Sequence, residues 1–382
     1  MTSLTPQYAK PSLRYFATAA KGTEGLLKAE LRELGLGPVK GDRGGVHFGR
    51  SLEDAFKACL YSSIAVRVLE RRFTACVPDS TALYEAVQAH DFDDLVDPRR
   101  TLAVAAAVSS SHLRHSQFVA RRIKDAVVDR QLVRNGKRSN VDPAHPDVRL
   151  FAHLTKDQLT LYADLSGEPL HRRGYRGTAG SAPLKETLAA ALLRLAGYDG
   201  RALLIDPCCG SGTILCEAAL VALSRAPGLS RRQFGLERLA RHGDSDREMF
   251  ARLRDEARQR SRAKLPGPLR GSDIDLAMLD NARQALAKLG VDVPVSRRDV
   301  LQYVPEEHSG LVVTNPPYGV RLQGGESLDR RLGRALRRWR GFRIVVMTQG
   351  PGLARAFGRQ PDFEHTLYNG GLECRAFGWN PG

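Results

Sequence analysis

Four short stretches of this 382-residue chain hold residue types that could do chemistry together. The first is Leu203-Leu204-Ile205-Asp206-Pro207-Cys208-Cys209-Gly210-Ser211-Gly212-Thr213. An apolar run ends in an acid, and a glycine turn then opens a helical pattern. In doubly wound folds a ligand sits over such a turn, at the carboxyl ends of the strands. Gly210 and Gly212 would let the backbone approach that ligand closely. No Lys follows the turn, so it is not a phosphate-binding P-loop, and the full GxGxxG fingerprint is absent. The second stretch, Arg270-Gly271-Ser272-Asp273-Ile274-Asp275, puts an acid at the end of the next core strand. A carboxylate there can accept both hydroxyls of a ribose. Asp275 better suits the cap of the helix that follows, where negative charge is favoured, so ribose falls to Asp273. The third, Ser296-Arg297-Arg298-Asp299-Val300, places an acid where an adenine edge would lie, although an Asp after a strand is common. The fourth is Leu311-Val312-Val313-Thr314-Asn315-Pro316-Pro317-Tyr318-Gly319. Two prolines fix the backbone and remove two N–H donors, which leaves carbonyls free to accept. Asn315 adds a side-chain carbonyl and Tyr318 a stacking face. The set suits a planar amine: two acceptors grip its hydrogens while a ring holds the base. A structural turn could use the same residues, but its place after a core strand and three acidic strand ends favours catalysis.

These stretches need a scaffold that presents strand ends. From Ala182 onward helix and strand alternate: helix over 186–196, strand over 202–205, helix over 212–224, strand over 269–273, helix over 276–289. Short strands follow at 293–296, 311–314 and 342–348. Such alternation predicts a parallel, doubly wound sheet. Residues 225–268 form a charged insertion with a helical stretch at 245–263. Before all this lie two smaller units. The first reads strand 13–19, helix 23–34, strand 44–48, helix 52–60 and strand 66–73, a β-α-β-α-β module. The second reads helix 80–89, strand 101–108, amphipathic helix 117–133 and strands 148–154 and 158–165. The expected divisions are 1–75, 76–168 and 169–382.

Composition narrows the class. Lys and Arg number 58 against 42 Asp and Glu, a net charge of +16, and 47 of the 58 are Arg. Codon bias could supply the arginines, but a polyanionic partner, nucleic acid above all, fits such a surplus. No run of 18 apolar residues reads as a membrane span, and the N-terminus lacks an apolar signal core. The six cysteines show no CxxC pair and no zinc spacing. A reduced, cytoplasmic chain without metal is expected.

Asp206-Pro207-x-Cys209-Gly210-Ser211-Gly212-Thr213 followed by Asn315-Pro316-Pro317-Tyr318 resembles the class I S-adenosylmethionine-dependent methyltransferases that act on exocyclic amines. One branch agrees along nearly the whole chain. Phe16–Ala19 with Lys21–Glu24 is similar to its N-terminal module, and 109–130 to its THUMP domain. His171–Arg176, Ala182–Glu186, Phe234–Arg238 and His242–Asp244 are similar to its catalytic half. The resemblance is to THUMP-domain RNA guanine-N2 methyltransferases of the bacterial large-subunit ribosomal RNA type. It implies a ferredoxin-like module, then an α+β THUMP domain, then an α/β Rossmann-like methyltransferase domain. Asp206, Cys208, Gly210, Gly212 and Thr213 would lie around the methionine part of S-adenosylmethionine. Asp273 with Ile274 would take the ribose, Asp299 with Val300 the adenine, and Pro183 and Lys185 would approach from the entering helix. Asn315 and the Pro316 carbonyl would hold the guanine amine, with Pro317 and Tyr318 completing the site. Some members carry a second C-terminal methyltransferase domain; this chain ends at Gly382 and is expected to have only the first activity. Leu236 and Leu239 stand where aromatic residues are often seen in the ribosomal branch. Transfer-RNA guanine-N2, adenine N6 and a catalytically silent RNA binder are the competing readings.

RNA binding is expected at two basic windows, each with net charge +6. Residues 112–138 contain Arg114, Arg121, Arg122, Lys124, Arg130, Arg134, Lys137 and Arg138; residues 321–343 begin with Arg321. Either alone could be a solvated helix face. Contacts of this kind go to phosphates and supply salt-sensitive affinity rather than sequence choice.

Overall fold

The structure, a computed structural model, describes residues 13–176, 184–317 and 327–381. The amino-terminal half begins with β1 (Tyr15–Thr18), α1 (Glu24–Glu33), β2 (Val39–Asp42), β3 (Gly45–Phe48), α2 (Leu52–Tyr61) and β4 (Arg67–Cys76). It continues with α3 (Ser80–Gln88), β5 (Leu102–Ser109), α4 (Ser116–Asn135), β6 (Val148–Thr155) and β7 (Gln158–Asp164). The first unit is therefore β-α-β-β-α-β, one strand richer than the sequence pattern predicts. That extra strand, β2, is a four-residue edge with three exposed positions. Local polarity sets the helix starts: Ser51 and Asp54 form a reciprocal capping box at α2, and Asp79 caps α3.

β4 pairs with β1 on one side and with β7 on the other. The two amino-terminal units thus share one seven-stranded sheet, ordered β2-β3-β1-β4-β7-β6-β5. Its pairings are antiparallel except β5 with β6.

The carboxyl-terminal half holds α5 (Glu186–Leu195), β8 (Leu204–Asp206), α6 (Thr213–Ala222), α7 (Asp244–Arg260), β9 (Leu269–Asp273), α8 (Leu276–Lys288) and β10 (Val295–Arg297). Then come β11 (Gly310–Thr314), α9 (Leu328–Leu336), β12 (Phe342–Thr348), α10 (Gly352–Phe357), β13 (Phe363–Asn369) and β14 (Leu372–Trp379). The sheet order is β10-β9-β8-β11-β12-β14-β13. The first five strands are parallel, and β14 runs antiparallel to both neighbours. One core layer joins the sheet to α5, α6 and α8; the other joins it to α9 and α10. Both faces are covered, as a parallel sheet requires.

The insertion does not stay with this sheet. Phe234, Leu236, Leu239, Phe250, Leu253 and Ala257 belong to the core of the amino-terminal half. Phe250 stacks on Phe56 of α2 at 4.1 Å, and Phe234 meets the same ring edge-on at 5.6 Å. Each such side chain contributes roughly 1.5–3 kcal/mol by burial. Arg241 secures the seam by donating to Glu70 at 2.5 Å and Asp94 at 3.0 Å.

Candidate active site

In the carboxyl-terminal sheet, strands lead away from β8 in both directions. β9 and β10 lie on one side, β11 and β12 on the other. The crevice between the carboxyl ends of β8 and β11 is the topological switch point, where ligands bind in such sheets. Asp206 ends β8 and Thr314 ends β11. The Thr314 hydroxyl donates to Asp206 Oδ1 at 2.7 Å and bridges the two strand ends.

The turn after β8 is held by backbone bonds. Cys209 N–H donates to Ser272 O at 2.9 Å, and Gly212 N–H to Cys209 O at 2.8 Å. Gly210 (φ +50°) and Gly212 (φ +79°) take left-handed conformations that favour glycine. Gly212 caps α6 and lies against Ala282 of α8. Gly210 N–H donates to Asp273 Oδ2 at 2.8 Å, so the turn is pinned to the end of β9.

The acids divide their work. Asp206 is 1% exposed, and burial pushes its carboxyl up to about 7, with nearby Asp273 acting in the same direction. Asp273 is half-buried and accepts from Gly210 and, at 3.1 Å, from Asp275 N–H. Its carboxylate retains lone pairs for hydroxyl donors. Asp275 accepts from Ala277 and Met278 N–H and caps α8, as its position predicts. Asp299 follows β10 and accepts from Leu301 N–H through Oδ1 at 2.9 Å; Val300 beside it is buried. Burial and the neighbouring Asp206 and Asp273 push the Cys208 thiol up, which keeps it neutral. Cys209 is raised by the same causes, so neither thiol is poised as a nucleophile.

Thr213 opens α6, and its hydroxyl accepts from Arg176 at 2.8 Å. Arg176 also donates to Leu184 O at 2.6 Å, tying the entering segment to the cofactor helix. Lys185 stands exposed at the start of α5. Asn315 is half-buried, Pro316 buried and Pro317 exposed, directly after β11. Pro183, Tyr318 and Arg321 lie outside the described residues.

The residues present fit S-adenosylmethionine. A Cβ added at Gly210 would meet nothing within 4 Å, so the turn has open space beside it for a ligand to approach. Ile274, 63% exposed beside Asp273, offers a bare apolar surface at a strand end. Sequence reasoning missed Thr314 and Arg176. The available signals were a hydroxyl at the buried end of an apolar strand just before Asn315, and an arginine in the segment entering α5.

The basic residues of the first window do not form one patch. Arg121 and Lys124, with Gln117, Val141 and Pro143, line a cleft of about 440 Å³ along edge strand β5. Arg114, with His112 and Asp157, lines another of about 460 Å³ at the end of β5. Arg122 instead lies over the Tyr84 ring at 4.1 Å and donates to Ser80 O. Arg134 pairs with Asp91 at 2.6 Å and Asp93 at 3.0 Å, which cancels its charge locally. Lys137 and Arg138 are exposed just beyond α4. In the second window Arg330, Arg331, Arg334 and Arg337 are exposed on and after α9. Arg338, also exposed, donates to Leu301 O, and half-buried Arg343 donates to Leu195 O.

Comparison with known proteins fits this architecture. Residues 14–69 match the RlmL ferredoxin-like domain, 78–164 the THUMP domain, and 173–377 the RMKL-like methyltransferase domain. Proteins named ribosomal RNA large subunit methyltransferase K/L from Methylococcus capsulatus and Syntrophotalea carbinolica are each 43% identical. These alignments cover 95% of this chain, and 50% and 53% of those proteins; the chain spans about half the length of the curated relatives it matches. Among solved structures, SMU.472 in complex with SAH superposes with a TM-score of 0.86 at 26% identity, over 97% of this chain and 98% of that one. A protein described as a predicted N6-adenine-specific DNA methylase from Listeria monocytogenes gives 0.84 at 30% identity, over 97% and 96%. With its matching catalytic domain covering more than half of its length, the chain belongs to the RMKL-like methyltransferase family.

Proposed function

We propose that the chain transfers a methyl group from S-adenosylmethionine to the exocyclic N2 amine of a guanine in large-subunit (23S) ribosomal RNA. One observation carries this reading: the glycine turn after β8 and the Asn315-Pro316-Pro317 run after β11 meet at the switch point, joined by the Thr314–Asp206 bond. Relatives named for ribosomal RNA along 95% of this chain support the substrate class. In this reading residues 1–75 form the ferredoxin-like module, 76–168 hold RNA and 169–382 perform the transfer.

When bound, the cofactor supplies an activated sulfonium methyl. The protein's task is then positioning. Asp273 accepts ribose hydroxyls, with Ile274 flanking, and Asp299 accepts from the adenine amine beside Val300. Asp206, Cys208, Gly210, Gly212 and Thr213 surround the methionine part, with Pro183 and Lys185 at the entrance. The target guanine leaves its stack to reach the site, as other base-modifying enzymes require. Its N2 lone pair is delocalised into the ring. Asn315 Oδ1 and the Pro316 carbonyl accept the two N2 hydrogens and turn the lone pair toward the methyl. Pro317 holds the backbone, Tyr318 packs on the base, and Arg321 holds phosphate. In this reading Arg114, Arg121, Lys124, Lys137 and Arg138 are the first-window residues that meet RNA. Adenine N6 offers the same two hydrogens, and the Listeria neighbour is named for it.

The test is incubation of the purified chain with labelled S-adenosylmethionine and, separately, 23S RNA, transfer RNA and DNA, followed by nucleoside analysis. N2-methylguanosine in 23S RNA is expected; N6-methyladenine or label confined to transfer RNA overturns the target. Asn315→Ala should abolish transfer while cofactor affinity, by calorimetry, stays within about twofold, because its contacts are to the base. Full activity in that variant refutes the assignment.

A further inference from the structure

We propose that a cleft at the junction of the THUMP unit, the linker after β7 and the insertion is an additional RNA-phosphate-binding surface, apart from both basic windows; this rests on RNA being the substrate. The cleft measures about 720 Å³ and is lined by Arg172, Arg231, Arg232 and Arg238 against Glu168 and Glu237, with His145 at the rim. Its basic residues come from segments far apart in sequence. None of the four arginines falls in residues 112–138 or 321–343.

The fold leaves Arg231, Arg232 and Arg238 of this set without a carboxylate partner among the described residues. Arg231 donates to the carbonyls of Glu168 at 2.9 Å, Ser166 and Arg172 at 3.4 Å, and Pro169. Carbonyls satisfy the hydrogens of a guanidinium without neutralising its charge. Arg173, 3% exposed, lies close behind, and burial together with that neighbour pulls the Arg231 pKa down. Of the two acids, Glu168 pairs with Arg172 at 2.5 Å within the cleft and offsets that one charge, whereas Glu237 is engaged by Arg254 at 2.8 Å and by Phe234 N–H. Arg238 spans to Pro146 O and so ties the insertion to the THUMP unit. Arg232 is exposed, with no hydrogen bond or ion pair among the described residues. A half-buried cation held by carbonyls beside an exposed one, in a cleft of about 720 Å³, suits a polyanionic backbone. RNA phosphates supply that chemistry, and they bind by charge rather than by sequence.

The test uses the full chain and a fluorescein-labelled 23S RNA fragment, with affinity read by anisotropy across a KCl series. Arg232→Glu should weaken binding roughly fivefold or more and lower the log–log salt slope by about one. Arg172→Ala should act in the same direction. Arg231 is left intact because it holds four carbonyls, and an unchanged thermal midpoint shows that Arg232→Glu is folded. Arg258→Ala on the exposed face of α7, where Arg258 pairs only with Asp255 among the described residues, should change neither slope nor affinity. Arg232→Glu with the slope and affinity of the unaltered protein overturns the cleft. If the unaltered protein binds RNA and methylates it while the cleft variants bind equally well, the cleft alone falls. If the unaltered protein binds no RNA, the substrate reading falls with it.

Discussion

Asp206→Asn should make the protein more stable at alkaline pH while leaving it nearly unchanged in acid. The carboxyl group is 1% exposed at the end of the central strand, and burial raises its pKa from the ordinary 3.8 to about 7. An unfolded chain releases this proton near 3.8 and the folded chain only near 7. Stability is therefore full below the lower value, is lost as pH rises between the two, and is level above the upper one. A gap of this size between the two pKa values corresponds to about 4 kcal/mol, more than half of which falls between pH 5 and pH 8. Asparagine keeps an acceptor for the Thr314 hydroxyl and Cys208 N–H but has no proton to lose. Urea unfolding at both pH values, without cofactor, measures the effect. The stability difference, variant minus parent, should move in the variant's favour by about 2–3 kcal/mol from pH 5 to pH 8. A difference that stays constant, or moves the other way, would refute the reasoning, because it would mean that the folded carboxyl ionises as readily as the unfolded one.

Two further predictions concern the turn and the seam. Gly212→Ala places a Cβ 2.9 Å from the Ala282 Cβ in a left-handed conformation, so thermal unfolding should show a loss of about 2–3 kcal/mol. Gly210→Ala meets open space and should cost only about 1 kcal/mol, yet calorimetry should show weakened cofactor binding; unchanged affinity would mean the cofactor does not lie there. Glu70→Gln, at a 1% exposed position reached by Arg14 and Arg241, should cost about 3–5 kcal/mol in urea unfolding. A loss under about 1 kcal/mol would show that these arginines find other partners.

Much of this architecture was legible because it is written locally. The runs ending at Asp206 and Thr314 are apolar strands, those ending at Asp206 and Asp273 lead into helix signals, and the structure places all three side by side. Asp275 was separable from Asp273 because capping is a one-turn interaction. Other features had no local signature. β2 holds one apolar residue in four and exists because its backbone pairs with β3. The β13–β14 hairpin, absent from the sequence-based expectation, is fixed by pairing with β12. Charge windows misled in a similar way. Arg134 counts as a free cation only until Asp91 and Asp93, more than 40 positions earlier, fold against it. The cleft arginines went unnoticed because folding, not sequence, gathers them. The Thr314–Asp206 bond joins residues 108 apart and follows from sheet order alone.

The docking of α7 onto the amino-terminal half bears on how this chain can be recombined. A chimaera that exchanges residues 169–382 for those of a relative would take Phe234, Leu236, Phe250 and Leu253 away from Phe56 and replace them with a foreign set. It would also separate Arg241 from Glu70 and leave that buried carboxylate without its closest insertion partner. The unit of inheritance that keeps its packing is therefore not contiguous. Residues 13–168 and the loop 225–262 have to change together, although more than fifty residues separate them in the chain.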